Sequence, residues 1–210
     1  MRKNQSNLAL LNSIFCVSLV VSNILASKIL CFAGGTFVIP AAVVAYPITF
    51  LMTDCISEIW GKEEANKTVR NGLFCQLMCL MLCAIAIKLP VAPFADNQLE
   101  FSMILGSTLR VTFASLVAYI CSQTWDVWVF HKIRNAYAEK HDNLTSGKWI
   151  WNNASTMTSQ IIDTAIFITI AFYGTVPSII TMVISQYIVK FVLALLDTPV
   201  FYILTKNSEK

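Results

Sequence analysis

The stretch Trp151 to Gly174, WNNASTMTSQIIDTAIFITIAFYG, decides the fold. It is apolar enough to sit in a bilayer, yet Gln160 and Asp163 stand near its middle. Residues three and four apart on a helix share a face, so Thr156, Gln160, Asp163 and Phe167 form one stripe of hydroxyl, amide, carboxylate and ring. The same grammar occurs earlier, where Ser122-Gln123-Thr124-Trp125-Asp126 followed by Phe130 matches Ser159-Gln160-Ile161-Ile162-Asp163 followed by Phe167. A looser third copy begins at Ser185-Gln186 and puts Lys190 one step beyond the place of the aspartate. Polar groups in hydrocarbon are costly and are usually kept for function. Three such helices therefore read as a binding site.

Composition agrees with a membrane setting. Hydrophobic residues make up 56% of the 210 and charged residues only 13%, where soluble domains carry roughly half and a quarter. Apolar runs of about twenty residues, the length that crosses about 30 Å of hydrocarbon, recur along the chain. The expectation is an all-α polytopic membrane protein, one six-helix domain over residues 1–210. The spans are placed at about Leu8 to Ser27, Phe37 to Thr53, Gly72 to Leu89, Leu109 to Phe130, Ser155 to Tyr173 and Ile179 to Leu204. Between them Gly34-Gly35 marks a turn, Asp54 to Asn71 is polar and ends helical in character, and Ala95 to Ser107 and His131 to Lys148 read as loops. A tight turn is expected at Gly174 to Pro177. Pro47, inside the second span, is expected to kink it and free a carbonyl near mid-membrane. The Arg2-Lys3 start before an apolar run resembles a signal peptide, but with further spans behind it the run reads as an uncleaved first helix.

Orientation follows from the basic residues. Arg2, Lys3, Lys62, Lys67, Arg70, Lys132, Arg134, Lys140, Lys148, Lys206 and Lys210 fall on one side, against Lys28, Lys88 and Arg110 on the other. Both termini are thus expected in the cytoplasm. The net charge of +3 lies in connecting segments and does not point to nucleic acid. Cys75, Cys79 and Cys83, at helical spacing in an apolar run, read as small hydrophobes rather than metal ligands.

Each buried polar group has a bland reading beside the functional one. Asp126 and Asp163 each cost about 3 kcal/mol at a helix centre on insertion scales, and either could bond to a neighbouring hydroxyl and hold the bundle together. Gln123 and Gln160 alone would pass as interhelical glue; one turn before an aspartate, twice, they read as paired recognition groups. Gln186, Lys190 and Asp197 share a stripe on the sixth span, where Lys190 serves either as an aspartate's ion pair or as a ligand contact. Asn23, Glu58 and Asn153 are second-rank candidates, and Tyr119 and Phe167 offer flat surfaces. A carboxylate accepts two parallel N–H donors while an amide both donates and accepts. This chemistry suits a small, planar, polar solute with a guanine-like edge. No H-E-x-x-H, G-x-S-x-G or phosphate-binding loop is present, and an ion channel is disfavoured by the variety of intramembrane polar groups. A membrane enzyme stays as a minor rival.

Several ordered motifs carry a resemblance. They are SNILASKI at Ser22 to Ile29; P-x-T-F-L-x-T-D and E-x-W-G-K between Pro47 and Lys62; and A-S-x-V-A-Y with S-Q-x-x-D-V between Ala114 and Val127. W-x-x-N-N-x-S-T with S-Q-x-x-D-T-x-x-F follows from Trp149 to Phe167, then K-x(6)-D-T-P from Lys190 to Pro199. Together they resemble the queuosine-precursor transporter family, also called the vitamin uptake transporter family, over nearly the whole chain. One departure is Trp151, which stands where the family's tryptophan-asparagine run usually carries a basic residue. The resemblance implies a bacterial inner-membrane importer of 7-deazaguanine bases for queuosine in tRNA, with no enzyme activity and no cofactor. It also implies a six-helix fold similar to the substrate-binding subunits of energy-coupling-factor vitamin transporters. On this reading Gln160 and Asp163 are the primary recognition pair, completed by Gln123, Asp126, Lys190 and Gln186. The expected partners are a 7-deazaguanine base and membrane lipid, with a coupling proton and a second copy of the chain as further ones. The proton would be taken up by an acidic residue when the pocket is empty, because low dielectric disfavours an unpaired carboxylate. The alternative is a binding subunit of an ATP-driven system, docked through small-residue faces such as Ala41 to Ala45 and Ala114 to Ala118.

Overall fold

The computed structural model describes residues 3–92, 94, 96–138 and 148–205. Side chains at 33, 126–127, 130, 134, 137–138, 148–156 and 194–205 fall outside the described set, and with them those of Asp126, Asn153 and Asp197. His141 and Asn143, both on the expected loop, lie outside it too.

Among the described residues there are six α-helices and one small hairpin: α1 (Gln5–Leu25), β1 (Ile29–Phe32), β2 (Phe37–Pro40), α2 (Tyr46–Trp60), α3 (Lys62–Lys88), α4 (Gln98–Ala138), α5 (Lys148–Phe172) and α6 (Ile179–Thr205). The chain is thus an all-α polytopic membrane protein with a short hairpin added. Four stretches, Gln5–Leu25, Ala41–Trp60, Lys62–Lys88 and Gln98–Trp125, are long and apolar enough to cross a bilayer, and Met157–Phe172 and Ile179–Leu193 are shorter apolar helices.

Helix α1 starts where Asn4 Oδ1 accepts from the Asn7 N–H at 2.7 Å, satisfying one of the donors a helix start leaves open. Leu8, Leu11 and Phe15, spaced three and four apart, are buried on one face. They pack with Met52, Cys55 and Ile56 of α2 and Ala65 of α3 into one core. At α3, Gly72 lets the helices approach closely: a Cβ there would sit 2.5 Å from Phe15 Cε1 and 2.8 Å from Leu19 Cδ2. The Thr68 hydroxyl, fully buried, donates to Asn12 Oδ1 and so adds a polar tie between α1 and α3.

Three expectations need correction. The second span does not run as one helix from Phe37. Phe37–Pro40 is strand β2, antiparallel to β1 with Phe32 opposite Phe37 and Ile29 opposite Pro40; a 3-10 segment over Ala41–Val44 follows. Pro47 consequently sits in the first turn of α2, where its missing N–H costs nothing, and it kinks no helix. The polar connection ends in helix as expected, Lys62–Asn71 belonging to α3, but residues expected as loop are also helical: 98–107 opens α4, and 131–138 continues it. Helix α4 has 41 residues, about 60 Å at 1.5 Å per residue, so it outruns a hydrocarbon core of about 30 Å. Hydropathy marks where a helix is in lipid; in water the same helix continues on its own backbone hydrogen bonds. The Gly174 turn is as expected, with the Thr175 N–H donating to Phe172 O at 3.0 Å.

The chain divides into two compact units, residues 1–112 with 184–210, and residues 113–183. The first holds α1–α3, the hairpin, the start of α4 and most of α6. The second holds the rest of α4, α5 and the start of α6. Its buried positions Ala114, Ala118 and Ser122 on α4, and Thr164, Phe167, Ile168 and Ala171 on α5, fall at helical spacing.

Candidate functional site

In the second unit the two S-Q-x-x-D copies lie on neighbouring helices. The Trp125 indole N–H, inside the first copy, donates to Thr158 Oγ1 at 3.3 Å, and Thr158 immediately precedes Ser159-Gln160 of the second. This bond aligns the copies along α4 and α5. Serines and threonines around them turn back on their own helices: Ser122 donates to Tyr119 O at 3.1 Å, Thr124 to Ile120 O at 2.7 Å, and Thr164 to Gln160 O at 2.8 Å. Local back-bonding of this kind silences a hydroxyl inside apolar surroundings. The amides and the carboxylate remain as the groups with recognition chemistry.

Their exposures grade along the α5 stripe. Gln160 is exposed, Asp163 is half-buried, and Phe167 is buried at 7%. The Phe167 ring meets Phe172 edge to face, centroids 6.0 Å apart at 81°, which closes the stripe with a rigid apolar floor. On α4, Gln123 is exposed and Tyr119 half-buried. Further along α4 the rings of Trp125 and Trp128 lie 5.3 Å apart, and Lys132 Nζ stands 4.5 Å over Trp128. Trp128 and Lys132 belong to a depression of about 530 Å³ lined also by Thr124, His131 and Asn135. His131, read from sequence as a loop residue, is thus an exposed residue of a helix.

The first unit holds the remaining candidates. Asn23 is buried at 3% near the end of α1, Glu58 is exposed at the end of α2, and Lys190 is half-buried on α6. Gln186 is buried at 1%, and its Oε1 has no hydrogen-bond partner among the described residues. Beside it, Ser185 Oγ accepts from the Val38 N–H at 3.3 Å, fastening β2 to α6. Sequence reasoning passed over Gln76 of α3, buried at 2%, and Thr112 of α4, whose buried hydroxyl also has no partner. Neither sits in a repeated motif, so only burial could mark them.

The small-residue faces are occupied within the chain: Ala41 and Ala45 are 9% and 5% exposed, Ala114 and Ala118 0% and 1%. Among the described residues no group of three histidine, cysteine or acidic side chains is placed to hold a metal ion.

Comparison with known proteins agrees with the motifs. Residues 40–204 match the family described as "Putative vitamin uptake transporter". A Bacillus subtilis protein named "Probable queuosine precursor transporter" is 36% identical over 173 residues, 80% of this chain and 73% of that protein. A Haemophilus influenzae protein of the same name is 26% identical over 128 residues, 61% of this chain and 49% of its own length. No solved structure matches. With its apolar helices and a match over most of its length, the chain belongs to the vitamin uptake transporter family of multi-pass membrane transporters.

Proposed function

We propose that the chain imports 7-deazaguanine precursors of queuosine across a bacterial inner membrane, as a stand-alone secondary transporter with both termini in the cytoplasm. The carrying observation is its likeness to the Bacillus subtilis protein named for queuosine precursors, over 73% of that protein. The chemistry of the second unit supports it. Asp163 and Gln160 lie one turn apart on α5, and the Trp125–Thr158 bond holds the matching copy alongside. The carboxylate suits the ring N–H and exocyclic amine of the base, the Gln160 amide its carbonyl, and Gln123 and Asp126 supply the same pair from α4. The half-buried position of Asp163 strengthens such charge-assisted bonds relative to open water.

The test is queuosine content of tRNA in cells that lack both base synthesis and their own importer. The protein is expressed and each 7-deazaguanine base is supplied at low concentration, with Asp163→Asn alongside. The expected result is restoration by the wild type and none by the variant. Restoration by neither, with insertion verified, removes the substrate assignment. Restoration by both keeps the substrate and removes Asp163 as its principal contact.

A further inference from the structure

Helix α4 runs on past the stretch that hydrocarbon can hold. Its apolar segment ends near Trp125, while the helix continues to Ala138. At 1.5 Å per residue, Trp128 stands about 5 Å beyond Trp125, and Lys132 about 10 Å. The polar layer of a bilayer is about 5–8 Å deep on each side. Side chains on a helix lean toward its N-terminus, which here is back toward the membrane. Lys132 does so: its Nζ lies 4.5 Å over the ring of Trp128, one turn earlier. The ammonium is thereby drawn back to headgroup depth.

The face so formed is open and basic. Thr124, Trp128, His131, Lys132 and Asn135 line the depression of about 530 Å³, and all five are exposed. Ser122 and Val129, on the packed side of the same helix, are buried. None of the five is acidic, and Lys132 has no carboxylate partner among the described residues. A cation–π contact engages the ring face and leaves ammonium N–H groups able to donate. Asn135 adds an amide donor, whereas the Thr124 hydroxyl is turned onto Ile120 O at 2.7 Å. The depression thus has an aromatic ring at its membrane end and N–H donors at the other. Tryptophan rings favour that boundary, with one end in the apolar layer and the other wet.

We infer that this depression binds the headgroup of an anionic phospholipid. Its phosphate oxygens accept from the Lys132 ammonium and the Asn135 amide, and its glycerol backbone packs against Trp128. A soluble anion uses only the donors, while a phospholipid matches donors and ring together. A zwitterionic lipid fits less well, because its own cation finds no acidic side chain in the depression and is repelled by Lys132. The headgroup layer is itself the medium outside this face, so an open site meets its ligand at high local concentration. The inference rests on the membrane setting of α4 and not on the identity of the transported base.

The full chain is purified in nonionic detergent, and its thermal midpoint is followed during three titrations. The probes are dioctanoyl phosphatidylglycerol, dioctanoyl phosphatidylcholine, and glycerol phosphate as a headgroup without chains. Phosphatidylglycerol should raise the midpoint at the lowest concentration of the three. Lys132→Gln should move its half-effective concentration up roughly fivefold, and Lys132→Arg should retain the wild-type value. Lys62→Gln removes an exposed lysine of α3 that lies outside the depression, and it should leave that concentration unchanged. An equal effect of the two lipids, or an equal loss in Lys62→Gln and Lys132→Gln, overturns the site in favour of general attraction. An unaltered titration in Lys132→Gln overturns it as well. Glycerol phosphate acting as strongly as phosphatidylglycerol overturns the lipid as occupant, leaving a site for soluble phosphate esters.

Discussion

At the scale of single residues, the hydroxyls and the acidic groups of the apolar helices differ in kind. Hydroxyls at Ser22, Thr108, Ser122 and Thr164 each turn onto a carbonyl of their own helix, and these side chains need no further explanation. Asp163 differs in being a carboxyl group in an apolar helix. Losing a charge-assisted bond to the base at Asp163→Asn should lower uptake by about ten- to a hundredfold at unchanged expression, read as initial rate of radiolabelled base entry. Gly72 is the opposite kind of residue, important for what it lacks. Gly72→Ala pushes a methyl against Phe15 and Leu19 at 2.5 and 2.8 Å. Because Phe15 is buried in the core, the overpacking should cost about 1–3 kcal/mol. A lower melting point that Phe15→Leu partly restores is the expected pattern, and an unchanged melting point for the single variant contradicts the close approach of α1 and α3.

At the scale of elements, backbone chemistry at two positions sets where helices begin. Gly61 separates α2 from α3 with φ 97° and ψ 166°, a conformation essentially closed to residues with a Cβ. Gly61→Ala should therefore destabilise by about 1–3 kcal/mol, although no atom lies within 4 Å of the added methyl. Pro47→Ala should change the melting point little, because Pro47 occupies the first turn of α2 and no interior hydrogen bond is lost or gained there. A large change at Pro47 would restore the kinked-helix expectation. The hairpin belongs to this scale too. Gly34-Gly35 was legible as a turn, yet the apolar run after it reads equally as the start of a span. Short apolar runs do not distinguish strand from helix; the antiparallel pairing of Ile29–Phe32 with Phe37–Pro40 makes that choice.

At the scale of the whole molecule, the proposed mode of transport sets the experiment. Purified protein in liposomes, with no ATPase present, should accumulate 7-aminomethyl-7-deazaguanine. Uptake should rise as the outer solution is made acidic and collapse with a protonophore. Ala41, Ala45, Ala114 and Ala118 are buried within the chain, and independence of a coupling module is the outcome that the proposed function predicts. Transport that requires an added ATPase module would instead make the chain a binding subunit. Transport indifferent to both pH and protonophore would mark a facilitator.

By itself the sequence determined the class, the principal apolar helices and the family. Each of these rests on a local or repeated property: apolar runs as long as a bilayer is thick, the 3.6-residue spacing of Gln160, Asp163 and Phe167, and motifs that recur in order. It also singled out Gln123 and Gln160 as related positions, because the S-Q-x-x-D grammar repeats. Only the tertiary structure decided that these copies are neighbours, through the Trp125–Thr158 bond across 33 positions of chain. It alone decided that Pro47 opens a helix, and that Ser185 is spent on the Val38 N–H while Gln186 Oε1 is buried with no partner among the described residues. The physical reason is that the cost of a polar atom depends on what surrounds it in space. Partners such as Val38 and Ser185, 147 positions apart, leave no trace in the spacing of either segment.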